Sequence, residues 1–263
     1  MDTTPIQHKT TLLETFGEQV ELKDQDDVLQ IYSYKECDND SDPLLKRCRG
    51  LVYKGEDLIV QSYPYSDNYG VKDEDMLVQR IHGTPCVMFY SYEGSTIRIF
   101  YESQQERWYI ATNNKLDAYD SHWGIPTTFG ETFDMAIKNE YEESEVFRQR
   151  IGMVHSPDDI RKAFLDSLDK NFTYVFILSA LKGNHIVCTP PDVPTMFHIG
   201  TFSRDNHELC IDMNIGIPYP TLYSYTDTET LIKDIEHLNP YKYQGIVVIC
   251  QDGSVFKVLN SEY

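Results

Sequence analysis

The sequence predicts an α+β fold in which mixed antiparallel sheets are flanked by helices. Short runs of alternating and aromatic residues, separated by turn residues, recur along most of the 263-residue chain. Apolar residues at helical spacing mark three further segments, 129–150, 156–168 and 226–238. A chain of this length forms one large domain or two small ones. We expect an N-terminal extension, residues 1–45, that packs on a core domain spanning residues 46–263.

The composition is that of a protein with a hydrophobic core and no membrane span. Hydrophobic residues make up 41% of the chain and aromatic residues 13%. No run approaches the roughly 18 consecutive apolar residues that a membrane-spanning helix needs. The first residues, Met-Asp-Thr-Thr-Pro-Ile-Gln-His, have neither a basic head nor an apolar stretch, so we expect no signal peptide.

The cysteines predict reduced structural thiols. None of the six forms a Cys-x-x-Cys pair or a Cys/His zinc spacing. Several lie in or beside strand-like runs, where a cysteine acts as a small buried hydrophobe. We therefore expect no metal and no disulfide, and a cytoplasmic or otherwise intracellular protein, with a location in a virion left open. The six are Cys37, Cys48, Cys86, Cys188, Cys210 and Cys250.

The net charge argues against a tight nucleic-acid binder. The chain has 42 acidic and 23 basic residues, a formal net charge of −19. Binding to nucleic acid draws most of its affinity from cations that neutralise phosphates. The one dense basic patch is Lys46-Arg47-Cys48-Arg49. We expect protein partners, and RNA or nucleotide only as weaker alternatives.

The predicted elements follow the chain in order. A short helix around 11–16 precedes a strand at 31–34 and a polar loop at 36–43. Ser156 caps the helix that begins at Pro157. The remaining predicted strand-like runs are 47–53, 57–65, 107–114, 172–179, 185–188, 197–206 with its turn, 243–249 and 255–263.

The central stretch, residues 87–100, predicts a β-hairpin. Alternating and aromatic residues form two strand-like runs, joined at the tight-turn signal Glu93-Gly94-Ser95. The sequence Ser91-Tyr92-Glu93-Gly94-Ser95 resembles the nucleotide-attachment signature Lys-x-Asp/Asn-Gly of ATP-dependent ligases and mRNA-capping nucleotidyltransferases. Ser91 stands where that signature has its lysine.

Further matches are similar to the core of RNA ligases of the phage T4 type. The resemblance runs from about Arg47 to Tyr263 and implies the nucleotidyltransferase fold, without a C-terminal OB or specificity domain. Taken singly each match is weak, and the ordered series carries the resemblance. The matching residues are Arg49, Gly50, Pro64, Tyr65, Phe176, Asn184, Val187, Gly245, Lys257 and Tyr263.

The resemblance also implies a set of functional groups that this sequence lacks. In the family a lysine attacks the α-phosphate and carries the nucleotidyl group as a phosphoramidate. Carboxylates hold a divalent metal and the ribose, and two further lysines neutralise phosphates. These five positions hold Ser91 for the nucleophile, Ile177 and Gln244 for carboxylates, and Leu259 and Asp67 for phosphate lysines. The nucleotide-binding remnant is Arg49, Glu93, Gly94, Lys182 and Lys257.

The sequence therefore predicts a catalytically inactive RNA-ligase-like protein that uses no cofactor. Its expected role is a structural or protein-interaction module, and a subunit of a larger viral assembly is one form that this role can take. One alternative is an active RNA ligase that uses ATP and Mg²⁺, with Lys46, Lys54 or Lys182 as a displaced nucleophile. The other alternative is a subunit that binds a nucleotide or RNA end without chemistry, through Arg49, Arg98, Lys182 and Lys257.

Overall fold

The computed structural model describes residues 4–83, 85–180, 186–210, 213–224, 227–251 and 253–263. Within these ranges, thirteen strands form three sheets and eight helices pack on them, which confirms the α+β class. The strands are β1 Val20–Gln25, β2 Leu29–Tyr34, β3 Leu51–Lys54, β4 Asp57–Val60, β5 Asp67–Gly70, β6 Cys86–Ser91, β7 Ser95–Glu102, β8 Arg107–Ala111, β9 Phe172–Ser179, β10 Thr195–Ser203, β11 Leu209–Cys210, β12 Gly245–Cys250 and β13 Val255–Leu259. The helices are α1 Thr4–Gln7, α2 Lys9–Phe16, α3 Pro43–Arg47, α4 Glu74–Gly83, α5 Phe129–Glu143, α6 Glu145–Ile151, α7 Pro157–Asp166 and α8 Thr228–Glu236.

The first sheet has the antiparallel order β1-β2-β3-β4. The N-terminal helices pack on it, and the Tyr53 hydroxyl donates to the Ile6 carbonyl at 2.6 Å. The helix predicted around 11–16 is confirmed within α2. The boundary expected at residue 45 divides this sheet, because β1 and β2 precede it and β3 and β4 follow it. A domain division there stays a prediction.

The second sheet has the order β11-β10-β9-β7-β8, and α5, α6 and α7 cover it. Phe133, Phe164 and Phe176 are fully buried between these layers. The single helix predicted over 129–150 is wrong. Ser144 ends α5, and its side chain accepts from the Phe147 N–H at 3.2 Å to cap α6.

The third sheet has the order β5-β13-β12-β6, with β5 parallel to β13 and the other pairs antiparallel. Leu77 and Ile81 of α4 and Leu231 and Ile235 of α8 pack on one of its faces. Helix α8 is shorter than the predicted 226–238. Asp227 caps its start by accepting from the Thr230 N–H at 2.8 Å.

The hairpin predicted at residues 87–100 is wrong, although both of its strands are present. Strand β6 pairs with β12, whereas β7 pairs with β8 and β9 in the other sheet. Residues 92–94 therefore cross from one sheet to the next. Gly94 makes this possible, because a Cβ there would lie 2.7 Å from both Ile177 Cγ2 and the Leu178 carbonyl oxygen.

Two local predictions also differ from the structure. Residues 186–188 bend and form no strand, because the N–H groups of Ile186 and Cys188 donate to the Glu93 carboxylate. Ser156 precedes α7 as predicted, but its hydroxyl bonds to Asp159 Oδ2 at 2.8 Å and caps no backbone N–H. No helix in the described ranges is long and apolar enough to cross a membrane.

Candidate functional site

A cleft of about 160 Å³ lies between the second and third sheets, beside the crossing at residues 92–94. Side chains alternate across each strand, so one face of β6 is directed to the cleft, and Tyr90 of the other face also borders it. Phe89 and Ser91 line it, whereas Met88 packs in the core beneath α4 and α8. The cleft therefore opens on the face of the third sheet that these helices do not cover.

Ser91 lies in a hydrogen-bonded cluster with Gln244 and Lys257. Its hydroxyl, almost completely buried, donates to Gln244 Oε1 at 3.0 Å. Lys257 Nζ donates to the same oxygen at 2.9 Å. Gln244 Nε2 in turn donates to the Tyr263 hydroxyl at 2.7 Å. The acceptor of the Ser91 hydrogen bond is an amide oxygen. Because an amide is not a base, it cannot remove the hydroxyl proton, so the cluster does not activate Ser91 as a nucleophile.

Lys257 is a half-buried lysine on the cleft wall. Burial, and to a smaller degree the nearby Arg49 guanidinium, lower the pKa of Lys257 to about 8, against the opposing effect of Glu93. Desolvation disfavours the charged form of an amine, and a neighbouring cation acts in the same direction. Lys257 therefore carries its charge at pH 7 and loses it at a much lower pH than an exposed lysine.

The two arginines near the cleft have different surroundings. Arg49 lines the cleft and donates to the Pro64 carbonyl at 3.3 Å. Arg98 is fully buried and donates to the carbonyls of Gly50 and Thr112. Burial lowers the pKa of Arg98 to about 9. Arg98 therefore holds the backbone next to Arg49 and does not line the cleft.

The described lining of the cleft carries positive charge and unsatisfied polar atoms. Arg49 and Lys257 are its charged side chains, and the described lining includes no carboxylate. Ser66 Oγ and Asn113 Oδ1 are buried atoms of lining residues, and neither has a hydrogen-bond partner in the described structure. Such a lining, in a chain of net charge −19, fits an anionic ligand that also offers polar groups.

Glu93 is committed to the fold. Its carboxylate accepts from the N–H groups of Ile186 at 2.6 Å and Cys188 at 2.9 Å. It also accepts from the Tyr263 hydroxyl at 2.9 Å. Glu93 is 6% exposed and does not line the cleft. Its role is to anchor the segment at 186–188 and the C-terminal tyrosine against the sheet crossing.

The residues present do not fit a divalent metal ion. Ile177 contributes an apolar surface to the cleft, and Gln244 contributes an amide. A hard cation such as Mg²⁺ prefers carboxylate oxygens. In the described residues, no group of three or more His, Cys, Asp or Glu side chains is placed to hold a metal.

The other mapped positions lie outside the described cleft lining. Asp67 is buried in an ion-pair cluster with Lys46 (2.8 Å) and Arg80 (2.6 Å). Leu259, at the end of β13, pairs with Gly245 and Gly70 and does not line the cleft. Lys182 lies outside the described residues. Of the two described lysines proposed as displaced nucleophiles, Lys46 pairs with Asp67, and Lys54 pairs with Glu102 at 2.7 Å.

The sequence reading missed an aromatic wall of the cleft. The rings of Tyr92 and Phe197 line the cleft and stack with centroids 4.4 Å apart, and Tyr243, behind this lining, meets Tyr92 edge to face at 5.2 Å. Ser66 and Asn113 were missed as well. These residues come from separate parts of the chain with no local motif, and the abundance of tyrosine was the only sequence signal.

Comparison with known sequences identifies viral relatives. No protein-family model matches the chain. The "Immediate-early protein ICP-46 homolog" of Invertebrate iridescent virus 3 is 27% identical over 238 residues, which cover 87% of this chain and 48% of that protein. The protein of the same name in Invertebrate iridescent virus 6 is 25% identical, over 84% of this chain and 49% of its own length. The chain thus spans about half the length of these curated relatives.

Comparison with solved structures identifies ATP-dependent ligases. A putative ATP-dependent DNA ligase from Aquifex aeolicus matches with a TM-score of 0.57 and 12% identity, over 96% of this chain and 63% of its own. An archaeal ATP-dependent RNA ligase matches with a TM-score of 0.55 and 10% identity, over 97% of this chain and 62% of its own. The chain has the nucleotidyltransferase fold of these ligases. The fold expected from the central stretch is thereby confirmed, and at this identity the likeness concerns the fold alone.

Proposed function

We propose that this chain is a ligase-fold domain that does not form the covalent lysyl-nucleotide and that retains its cleft for binding. In this proposal, the chain descends from an RNA ligase of the T4 type and has lost the catalytic activity. The observation that supports it is the hydrogen bond from the Ser91 hydroxyl to the Gln244 amide oxygen, at the residue that the resemblance aligns with the nucleophilic lysine. What remains for such a domain is a structural or interaction role.

The loss of several groups supports inactivity more strongly than the loss of one. Ile177 has no oxygen to offer a metal, and the side-chain oxygen of Gln244 accepts hydrogen bonds from Ser91 and Lys257. Groups that act as a catalytic unit are not replaced piecemeal, since removing one already lowers the rate by orders of magnitude. For the alternative of a displaced nucleophile, the lysine in the described lining of the cleft is Lys257, and Lys182, outside the described residues, stays a second candidate.

The covalent step is tested by incubating the protein with α-³²P-labelled ATP or GTP and Mg²⁺ or Mn²⁺. We expect no label to remain on the protein after denaturing electrophoresis. An acid-labile label that disappears in a Lys257→Met variant would establish a displaced nucleophile and refute the proposal. The Lys233→Met variant is the matched control, because Lys233 lies on the exposed surface of α8 and pairs with Glu229.

The charge in the cleft favours one kind of ligand for this domain. Arg49 and Lys257 line the cleft, and its described lining contains no carboxylate. Ser66 Oγ and Asn113 Oδ1 are buried and have no hydrogen-bond partner in the described structure. Uncompensated cations beside a cavity attract anions. We therefore propose that the domain binds a nucleotide-like anion noncovalently and, since the described cleft lining offers no carboxylate to a metal, without a divalent ion.

Thermal-shift titration with ATP, AMP and inorganic phosphate tests this binding, each ligand with Mg²⁺ and with EDTA. A ligand at 100 times its Kd adds about 2.7 kcal/mol, which raises Tm by roughly 5–10 °C in a protein of this size. We expect the shift to persist in EDTA and to shrink in Arg49→Gln and Lys257→Met, but not in Lys233→Met. No shift with millimolar nucleotide in either medium would refute noncovalent binding.

A further inference from the structure

Two cysteines that lie far apart in the sequence meet on neighbouring strands of the third sheet. Cys86 begins β6, and Cys250 ends β12 directly opposite it in the antiparallel register. The two Sγ atoms are 2.8 Å apart, although 164 positions separate the residues. The sequence predicted isolated structural thiols, because no local spacing indicates this pair.

The backbone around this pair suits a disulfide. The Gln251 N–H donates to the Pro85 carbonyl at 2.9 Å, while the Cys250 N–H turns away to the Ser254 carbonyl. Cys86 and Cys250 therefore occupy a non-hydrogen-bonded site, where opposing Cα atoms lie about 4.5 Å apart. Disulfides span Cα separations of about 4.4–6.8 Å. The S–S bond needs little movement of either strand.

Access to the two thiols differs. Cys86 is half-buried, whereas Cys250 is 4% exposed. A reagent in solution therefore reacts with Cys86 first, and the more deeply buried Cys250 is close enough to attack Cys86 Sγ afterwards. Burial raises the pKa of Cys48 to about 12 and that of Cys188 to about 11, which disfavours the reactive thiolate at those two positions.

The geometry points to Cys86 and Cys250 as a modification site, a thiol pair that becomes a disulfide by exchange with a low-molecular-weight disulfide such as oxidised glutathione. The Cys86 thiolate attacks one glutathione sulfur, releases one glutathione thiolate and forms a mixed disulfide. The Cys250 thiolate then attacks Cys86 Sγ and releases the second glutathione. Two electrons pass from the protein to glutathione, and the two thiol protons end on the two released thiols.

This cross-link would strengthen the sheet that carries Ser91 without closing the cleft. Cys86 and Cys250 lie on the face of the sheet covered by α4 and α8, among the residues of that core. Phe89 and Ile249, on the opposite face, line the cleft. A disulfide restricts the unfolded chain, and the effect is large when the closed loop is long. The inference does not depend on the proposed function.

The test equilibrates the native, folded protein in glutathione buffers from fully reduced to fully oxidised, followed by acid quenching, alkylation and peptide mass spectrometry. Trypsin releases Cys86 in peptide 81–98 and Cys250 in peptide 243–257, each with a single cysteine. We expect these two peptides to be recovered joined after oxidation, and Tm to rise by roughly 5–15 °C.

Variants decide whether this pair is responsible. Cys86→Ser and Cys250→Ser should each abolish the joined peptides and the Tm rise, whereas Cys210→Ser should retain both. Because Cys86 is half-buried, Cys86→Ser should fold even if the more deeply buried Cys250→Ser does not. The inference fails if Cys86 and Cys250 stay fully alkylatable in oxidised glutathione, or if the disulfide recovered joins other cysteines.

Discussion

Two groups of charged side chains in this protein differ in how their charges are balanced. At Asp67, one buried carboxylate pairs with both Lys46 and Arg80, so each cation there has an acidic partner. In the cleft, the described lining around Arg49 and Lys257 holds no carboxylate, and Glu93 behind that lining offsets only part of the lowering of the Lys257 pKa. The first group stabilises the folded protein, because removing one partner would leave a buried charge without an ion pair. The second tolerates unbalanced charge beside a cavity, which is characteristic of a binding site.

The first prediction breaks the balanced group. Asp67→Ala leaves Lys46 and Arg80 without their anion and should lower the free energy of unfolding by about 3–5 kcal/mol. Lys257→Met removes a half-buried cation and should leave that free energy unchanged or slightly higher. Urea unfolding followed by circular dichroism measures both. Equal destabilisation by the two substitutions would contradict the distinction between the groups.

The second prediction concerns the crossing that places Ser91 at the cleft. Gly94→Ala introduces a Cβ at 2.7 Å from Ile177 Cγ2 and the Leu178 carbonyl oxygen, so strands must shift. We expect a loss of about 1–3 kcal/mol in unfolding free energy. Gly70→Ala is the matched control, because its Cβ would meet no atom closer than 3.9 Å. A neutral Gly94→Ala would mean that the sheets at the crossing are packed less tightly than described.

The third prediction concerns how the free energy of unfolding depends on pH because of Lys257. The pKa of Lys257 is lowered to about 8 in the folded protein, from an ordinary value of 10.5. Between these values the unfolded chain binds more protons, so the stability rises with pH, by at most about 1.4 kcal/mol per pH unit. Unfolding of the wild-type protein and Lys257→Met at pH 7.5–10 measures the difference. Parallel pH profiles for the two proteins would contradict the unbalanced charge.

Anion binding should show the opposite dependence on pH. A bound phosphate favours the protonated amine, so affinity should fall as the pH rises above about 8. An exposed lysine with an ordinary pKa would keep its affinity to much higher pH. Titration calorimetry at pH 7 and pH 9 measures the effect, and unchanged affinity would exclude Lys257 as the anion's partner.

Local patterns in the sequence predicted many of the strands and helices but not which strands pair with each other. Strands β6 and β7 follow from alternating residues, yet their assignment to different sheets depends on contacts with Val247 and Ile177, far along the chain. The resemblance identified the position of Ser91, and the structure brings Gln244 and Lys257 to it.

The role of Glu93 could not be predicted for the same reason. Its acceptor contacts come from Ile186, Cys188 and Tyr263, residues roughly 90 and 170 positions away. The sequence offered it as a nucleotide contact by its place in the signature. Burial and these three hydrogen bonds give it a structural task, and only the folded chain shows that.

Mass spectrometry of the protein with nucleotide, first under native and then under denaturing conditions, distinguishes noncovalent binding from a covalent bond. We expect a protein–nucleotide complex in the native spectrum and the unmodified mass after denaturation. A nucleotidyl adduct that survives denaturation would contradict the proposed noncovalent binding, since a bond between nucleotide and protein would then have formed.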